Sequence, residues 1–346
     1  MVVVMNPGAP QDQIEAVVAR IESVGSQAFV SHGVLRTIIG IVGDTQRCYE
    51  LNLPAMPGVS TILRVSAPYK LVSSQAHAER SVIHIGPPGH RIPIGPDTFT
   101  LIAGPAAVES AEQAHSAARL AAAAGARVLR GGAYKPRMFP LSFQGMGEDG
   151  LKILADVREA TGLLILTEAM SPADVTLVAS YADMLQIGAA NMQNYPLLDS
   201  VAGTGKPVLL KRGMQATIEE WLMAAEYLTQ RGNPHVVLCE RGIRTFETAT
   251  SSTLDISAIP LVQQLSHLPV IADPSQACGR RDLVVPLARA AIAAGADGLL
   301  INVHPDPENA VVDGQHSLAG SELRELASAV RQLPPLLGRR PAEPLS

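Results

Sequence analysis

Cationic side chains recur at the ends of short apolar runs in this sequence. Arg130 closes RVLR, Lys211 closes PVLLK, and Arg241 follows HVVLCE. Three further cations come a few residues after such runs: Lys135, Arg137 and Arg244. Arg binds carboxylate or phosphate through two parallel hydrogen bonds, whereas Lys acts as a point charge. A mixed set of six therefore predicts a binding site for a small anionic carboxylate or phosphate.

Other polar side chains at the same kind of position could do acid–base chemistry or stabilise an oxyanion. These candidates are Glu168, Gln276, Asn302, His304 and Asp313. The simpler alternative is that each cation only pairs with a neighbouring carboxylate, as Arg241 could with Glu240. The carboxylates at strand ends are too few to neutralise six cations, so we favour a binding site.

Eight apolar runs, each followed by a helical period, must position these residues. The runs are FTLIAG, RVLRG, LLILTE, DMLQIG, PVLLKR, HVVLCER, PVIADP and DGLLINV. Their near-continuous hydrophobicity predicts parallel strands covered on both faces. Eight units over residues 98–340 predict a (β/α)₈ TIM barrel, whose active site lies at the carboxyl ends of its strands, here called the mouth. An open doubly wound sheet is the alternative, but no G-x-G-x-x-G motif follows a strand in the proper place.

Local signals mark some helix starts and the segment before the barrel. Thr217 with Glu220 predicts a capping box, and Ser171-Pro172 predicts the start of another helix. The element order β-α-β-β-α-β over residues 1–66 predicts a small ferredoxin-like α+β domain, for which we expect a regulatory or assembly role. Residues 67–97 are predicted to form a linker and a hairpin made by VIHIG and IPIGP.

Composition restricts the class of protein. The chain of 346 residues has 27 basic and 32 acidic side chains and a formal net charge of −5, which predicts no nucleic-acid partner. Its three widely spaced cysteines predict no disulfide framework and a reducing compartment. The sequence has no basic leader and no unbroken run of about 18 apolar residues. We therefore expect a cytoplasmic protein with no membrane partner.

Several long strings resemble 3-deoxy-D-arabino-heptulosonate 7-phosphate (DAHP) synthase, in the short branch with an N-terminal ferredoxin-like domain. They are IAGPAAVES, LRGGAYKPR, SFQGMG, DMLQIGAANMQN, PVLLKRG, LCERGIRTFE and HLPVIADPS. The resemblance implies a homo-oligomeric barrel, dimer or tetramer, that condenses phosphoenolpyruvate with erythrose 4-phosphate, with a divalent metal, at the entry to aromatic biosynthesis. It also implies that Arg130, Lys135, Lys211 and Arg241 contact phosphoenolpyruvate and that Arg137 faces the aldose phosphate.

The departures from this family fall on the implied metal ligands. Ala106 stands where the family has cysteine, Gln276 where it has histidine, and Asn302 where it has glutamate; only Asp313 matches. Since removing even a partner of a metal ligand weakens binding about 10- to 100-fold, losing three ligands should abolish specific binding. We therefore predict no bound metal, no other cofactor and a metal-independent reaction.

Two further departures concern the implied phosphate contacts. Ala190 replaces an arginine of the family string IGARN, and Met138 and Phe139 replace small polar residues after KPR. Losing one charge-assisted hydrogen bond weakens phosphate binding by about 10- to 100-fold. The resemblance thus implies a less phosphate-like and more apolar pocket.

Three functions stay open at this point. The first is condensation without metal, in which Gln276 and Asn302 donate to an oxyanion, while Asp313, Glu168 or His304 moves a proton. The second is a lyase or isomerase acting on a cyclic carboxylate such as chorismate or prephenate. The third is a non-catalytic paralogue that binds an effector or a synthase subunit. We expect an enzyme, a diverged paralogue that is not itself a DAHP synthase.

Overall fold

The computed structural model describes residues 1–33, 36–42, 48, 51–63, 68–135 and 141–343. These residues divide into two units. The first unit spans Met1–Arg80 and Gln264–His267, and the second spans Ser81–Gln263 and Leu268–Ser346.

The first unit contains a four-stranded antiparallel sheet in the order β2-β3-β1-β4. Its elements are β1 (Val2–Met5), α1 (Gln11–Glu22), β2 (Gln27–His32), β3 (Thr37–Val42) and β4 (Val59–Leu63). Val3 and Met5 share a buried cluster with Ile14, Val17 and Ile21 of α1. This is the predicted ferredoxin-like domain; its expected second helix lies mostly outside the described residues.

The second unit begins with the predicted hairpin, formed by β5 (Ile83–Ile85) and β6 (Ile92–Ile94), which pair antiparallel. The four isoleucines of these strands belong to the same buried cluster as the interior of the following sheet. Because alternate residues of a strand point to opposite faces, His84 lies on the face away from that cluster and is exposed. The hairpin therefore closes one end of the core.

Eight parallel strands form a closed barrel and confirm the prediction. They are β7 (Thr98–Gly104), β8 (Val128–Arg130), β9 (Leu164–Glu168), β10 (Met184–Ile187), β11 (Val208–Lys211), β12 (Val236–Glu240), β13 (Val270–Ala272) and β14 (Gly298–Asn302). Neighbours in sequence pair in order, and β14 pairs with β7 from Gly298↔Thr100 to Asn302↔Gly104. This last pairing closes the sheet, so the doubly wound alternative is wrong. A short β15 (Arg340–Pro341) adds to the start of β7.

Helices cover the barrel. They are α2 (Ala111–Ala123), α3 (Glu148–Thr161), α4 (Val175–Tyr181), α5 (Tyr195–Ala202), α6 (Ile218–Gln230), α7 (Ala258–Leu265), α8 (Pro274–Cys278), α9 (Arg281–Ala293) and α10 (Gly320–Leu336). The predicted capping box of Thr217 and Glu220 is present at the start of α6. The predicted start at Ser171-Pro172 is wrong, because the Ser171 hydroxyl donates to Asp174 and α4 begins only at Val175. Within the described ranges, no helix is long and apolar enough to cross a membrane.

Candidate active site

Four of the six predicted cations lie at the mouth of the barrel. Arg130 ends β8 and is 3% exposed, and Lys211 ends β11 and is 1% exposed. Lys135, in the loop after β8, is also buried, and Arg241 directly follows β12. Buried Lys and Arg are rare unless a partner compensates the charge. Each of these cations is therefore expected to have a partner that compensates its charge.

Arg130 is held by Asn302, which ends β14 and is fully buried. The Nη1 atom of Arg130 donates to Asn302 Oδ1 at 2.6 Å. The backbone N–H of Asn302 donates to Ser275 Oγ at 3.1 Å, which ties the end of β14 to α8. Among described residues, Asn302 Nδ2 has no acceptor. A buried donor without a partner is uncommon in native proteins and indicates a place where a ligand can bind.

Lys211 forms a buried ion pair with Asp273, with Nζ and Oδ2 2.6 Å apart. Burial acts to raise the pKa of Asp273, but Lys211, Arg130 and the Gln276 backbone N–H outweigh it and lower that pKa below its ordinary value. The Gln276 side-chain oxygen accepts from Lys211 Nζ at 3.2 Å and from Arg241 Nη2 at 3.5 Å. Asp273 is thus ionised, and Gln276 links two of the cations.

The simpler alternative, in which Arg241 pairs with Glu240, is wrong. Glu240 instead pairs with Arg212, whose Nη1 lies 2.9 Å from Glu240 Oε2 and 2.9 Å from Asp255 Oδ2. Arg241 keeps two buried guanidinium nitrogens, Nε and Nη1, with no partner among described residues. Arg241 is consequently the mouth cation with the most unused hydrogen-bonding capacity.

Lys135 is a mouth cation whose protonated form is destabilised by its surroundings. Its Nζ donates to the Ala106 carbonyl oxygen at 2.9 Å. Burial, followed by repulsion from Arg130, lowers the pKa of Lys135 to about 8, although Glu168 and Asp313 act in the opposite direction. A bound anion would favour the ammonium form, so Lys135 couples anion binding to proton binding.

Glu168 ends β9, and its Oε2 accepts from Gln186 Nε2 at 2.8 Å. A side chain at Gly188 would collide with Oε1 of this carboxylate and displace it from its present position. Glu168 helps line a small, tight pocket, together with Ala106, Arg130, Gly131, Gly132, Lys135, Thr167 and Gln186. The carboxylate thus faces the same space as Arg130 and Lys135.

Asp313 and His304 have different surroundings. Burial acts to raise the pKa of Asp313, but His316, Lys135 and Arg130 together bring that pKa well below its ordinary value. Asp313 is therefore a fixed negative charge rather than a proton donor.

His304 uses both ring nitrogens: Nε2 lies 3.2 Å from Glu109 Oε2, and Nδ1 accepts from the Asp306 backbone N–H at 3.1 Å. This arrangement leaves His304 without a nitrogen free for substrate.

The structure does not bring every candidate together. Arg244 and Ala190 are exposed, and the Arg244 side chain makes no ion pair with a described residue. Arg137, Met138 and Phe139 lie outside the described residues. Sequence reasoning did not single out Arg212 or Asp273, although both form buried ion pairs in the structure. No local signal could show that Asp273 pairs with Lys211, since the two are 62 positions apart.

The residues at the implied metal position do not fit a divalent ion. Ala106 offers only a methyl group, the Gln276 oxygen accepts from two cations, and the Asn302 oxygen accepts from Arg130. Asp313 is the one carboxylate of this set. No group of three or more His, Cys, Asp or Glu side chains in the described part of the chain could hold a metal. Transition-metal sites in proteins are built from several Cys, His, Asp or Glu side chains, which this set lacks.

The fold and the mouth together define a (β/α)₈-barrel enzyme with a buried cationic site. Residues 72–338 match the model of the DAHP synthetase I family, and residues 1–67 match that of the DAHP synthase ferredoxin-like domain. The chain belongs to the DAHP synthetase I family.

Named relatives cover nearly the whole chain. The phospho-2-dehydro-3-deoxyheptonate aldolase of Thermotoga maritima is 47% identical over 98% of this chain and 99% of its own. A crystal structure of a Thermotoga maritima protein of that name has a TM-score of 0.77 and covers 98% of both chains. A 2-dehydro-3-deoxyphosphooctonate aldolase of Methylobacterium radiotolerans is 31% identical over 68% of this chain and 88% of its own. These matches do not bear out the predictions of a diverged paralogue that is not a DAHP synthase, and they give no support to metal independence.

Proposed function

We propose that this chain condenses phosphoenolpyruvate with an aldose phosphate, giving a phosphorylated 3-deoxy-2-keto sugar acid and inorganic phosphate. The name of the Thermotoga maritima relative supports erythrose 4-phosphate as the aldose phosphate. The observation that carries the proposal is the group of cations at the mouth, three of them buried, together with the buried donors of Arg241 and Asn302 that have no described acceptor. Aromatic biosynthesis is the pathway role that follows.

The unsatisfied donors fit an anion with several oxygens. Arg241 Nε and Nη1 and Asn302 Nδ2 are buried without a described acceptor. Leaving a buried donor unpaired costs about 1–3 kcal/mol, and more for a charged group. Phosphoenolpyruvate carries a carboxylate and a phosphate, so it can supply acceptors to Arg241, Lys135 and Arg130 at once. Its binding would offset the burial and the repulsion from Arg130 that lower the Lys135 pKa.

The remaining groups can position the aldehyde and move protons. In the overall reaction, carbon 3 of the enolpyruvate bonds to the aldehyde carbon, water adds to carbon 2, and phosphate leaves as the keto group forms. Glu168 is buried, with one oxygen held by Gln186, so it can take a proton from the attacking water. Asp313 stays ionised and provides a charge opposite Lys135 and Arg130. The mouth cations neutralise the departing phosphate.

Phosphate release from phosphoenolpyruvate, with erythrose 4-phosphate and other aldose phosphates as partners, tests the proposal. We expect release that depends on the aldose phosphate, with product mass equal to both substrates plus water minus phosphate. Arg130→Gln should raise the KM for phosphoenolpyruvate by about 10- to 100-fold, because one charge-assisted hydrogen bond is lost. The matched control is Arg280→Gln, since Arg280 is exposed and its one ion pair among the described residues is with nearby Asp282.

Two outcomes would contradict the proposal. One is the absence of phosphate release with every aldose phosphate tested, at substrate concentrations that saturate binding. The other is a thermal shift with chorismate or prephenate but none with phosphoenolpyruvate, which would favour the lyase or isomerase alternative. A ligand at 100 times its Kd stabilises a protein by about 2.7 kcal/mol, so such a shift is measurable.

A further inference from the structure

Two amide side chains at the mouth have their orientation fixed by cations. Arg130 has only donors, so the atom of Asn302 that faces it at 2.6 Å must be the amide oxygen. The same reasoning applies to Gln276, whose oxygen faces Lys211 Nζ and Arg241 Nη2. Rotating either amide by 180° would place an NH₂ group against a cation. The two NH₂ groups therefore point away from these cations.

Both NH₂ groups are left for a ligand. Asn302 is fully buried, and its Nδ2 has no acceptor among the described residues. No hydrogen bond from the Gln276 side-chain nitrogen reaches a described residue either, whereas its oxygen has two donors. The two residues belong to one corner of the barrel, because Ser275, next to Gln276, accepts the backbone N–H of Asn302. This corner thus presents N–H groups, which donate hydrogen bonds. The family resemblance implies side chains that would coordinate a metal at the same place.

Charge also disfavours a divalent ion at this corner. Arg130 contacts Asn302, Lys211 and Arg241 contact Gln276, and Lys135 contacts the Ala106 carbonyl. Asp273 is already paired with Lys211, and Asp313 is the one carboxylate of the implied ligand set, so it faces four cations. A further double positive charge would be repelled by all four cations, and low polarity strengthens that repulsion.

We propose that Asn302 and Gln276 form a two-amide donor site that binds the aldehyde oxygen of the second substrate and makes the condensation independent of metal. This inference rests on the proposed function above. As carbon 3 of phosphoenolpyruvate bonds to the aldehyde carbon, the carbonyl π electrons move to the oxygen, which the two NH₂ groups stabilise. Water adds to carbon 2 as Glu168 takes one of its protons, which then passes to the alkoxide oxygen, and the second water proton leaves with the phosphate as the keto group forms. Neutral donors aimed at a developing oxyanion act without metal.

Metal content and metal binding test the inference without relying on activity. We expect purified protein to contain far less than one equivalent of Mn, Fe, Co, Cu or Zn by mass spectrometry. Titration calorimetry with Mn²⁺, Co²⁺ and Zn²⁺ should show no saturable binding at micromolar concentrations. A triple variant, Ala106→Cys, Gln276→His and Asn302→Glu, should gain saturable Co²⁺ binding with visible absorption. Stoichiometric metal in the wild-type protein, or tight binding by it, would overturn the inference.

Kinetics test the donor role itself. Phosphate release should be unchanged by a chelator and not stimulated by added metal. Asn302→Leu should lower kcat by about 100- to 1000-fold, as removing one oxyanion donor does elsewhere. Asn302→Asp keeps the shape and the contact with Arg130 but loses the donor, so its kcat should fall similarly while the protein stays folded. A chelator-sensitive activity restored by metal, or full kcat in Asn302→Asp, would count against the proposal.

Asn233→Leu controls for loss of packing. Asn233 is fully buried at the opposite end of the barrel, where its Nδ2 donates to the Lys206 carbonyl. This variant should lose stability but keep its kcat. If no aldose phosphate supports phosphate release, the proposed function fails, whereas the metal titrations still decide whether this corner binds a divalent ion.

Discussion

Both ends of the barrel carry cationic side chains, but they differ in burial. At the mouth, Arg130, Lys135 and Lys211 are each less than 10% exposed. At the amino ends of the strands, a cavity of about 850 Å³ is lined by residues that include His84, Arg91, Arg158, Lys206 and His235. We call this the floor cavity.

Most of these floor side chains are exposed to solvent or partly exposed. The Arg158 side chain is 34% exposed even though it pairs with Asp183, and His84, Arg91 and His235 are exposed. Charges exposed to water interact weakly with a ligand and are screened by salt. Buried charges interact with it more strongly and are screened less. The larger cavity is therefore not the better candidate for catalysis. The mouth differs because its cations are buried and because some of its buried N–H groups have no described acceptor.

The largest expected difference between the two ends concerns their ion pairs. Lys211→Met leaves Asp273 buried without its ion-pair partner, so it should lower the free energy of unfolding by about 3–5 kcal/mol. Arg158→Met at the floor should cost at most about 1 kcal/mol, because its pair is partly exposed. Urea unfolding followed by fluorescence of the single tryptophan, the buried Trp221, would measure both.

The double variant Lys211→Met with Asp273→Asn is the control for that pair. It removes both charges and keeps an acceptor at the start of α8, so it should recover most of the lost stability without recovering activity. Equal losses for Lys211→Met and Arg158→Met would show that burial does not separate the two ends.

A second test compares one arginine from each end. Arg241→Ala should raise the KM for phosphoenolpyruvate by about 10- to 100-fold, because buried guanidinium donors are lost. Arg91→Ala should leave KM and kcat within about twofold, since Arg91 is exposed at the other end of the barrel. Steady-state phosphate release measures both variants. A comparable effect of Arg91→Ala would mean that the floor cavity takes part in binding.

The smallest expected effect is a pH dependence. Lys135 has a pKa of about 8, so it is charged below pH 8 and loses its proton above it. Anion binding should therefore weaken as pH rises, and kcat/KM should fall by about fivefold between pH 8 and pH 9. Lys135→Arg should abolish that fall, since arginine keeps its proton throughout this range.

The floor histidines provide the matched control for this profile. Burial and Arg91 lower the pKa of His84 and of His235, so both rings are neutral from pH 8 upward. The double variant His84→Asn and His235→Asn should therefore show the same decline in kcat/KM as the wild type. A decline that persists in Lys135→Arg would assign it to another group.

Much of the fold could be predicted from local patterns of residue type in the sequence. Each of the eight apolar runs is a barrel strand, because a strand covered on both faces must be apolar throughout. The Thr217 capping box was also readable, since its residues are three apart. Ser171 was misread because its hydroxyl has a closer competing partner in Asp174, which delays the start of the helix. Local signals fail where such alternatives compete.

The sequence by itself determined which residue types stand at the strand ends, and so it determined the barrel, the cationic mouth and the mismatch with a metal ligand set. Only the tertiary structure decided which of those residues pair. Glu240 pairs with Arg212 rather than with its neighbour Arg241, and Lys211 pairs with Asp273. The Asn302 amide oxygen accepts a hydrogen bond from Arg130. The physical reason is that a hydrogen bond depends on distance and direction in space. Barrel closure brings β14 beside β7, and no spacing along the chain encodes that proximity.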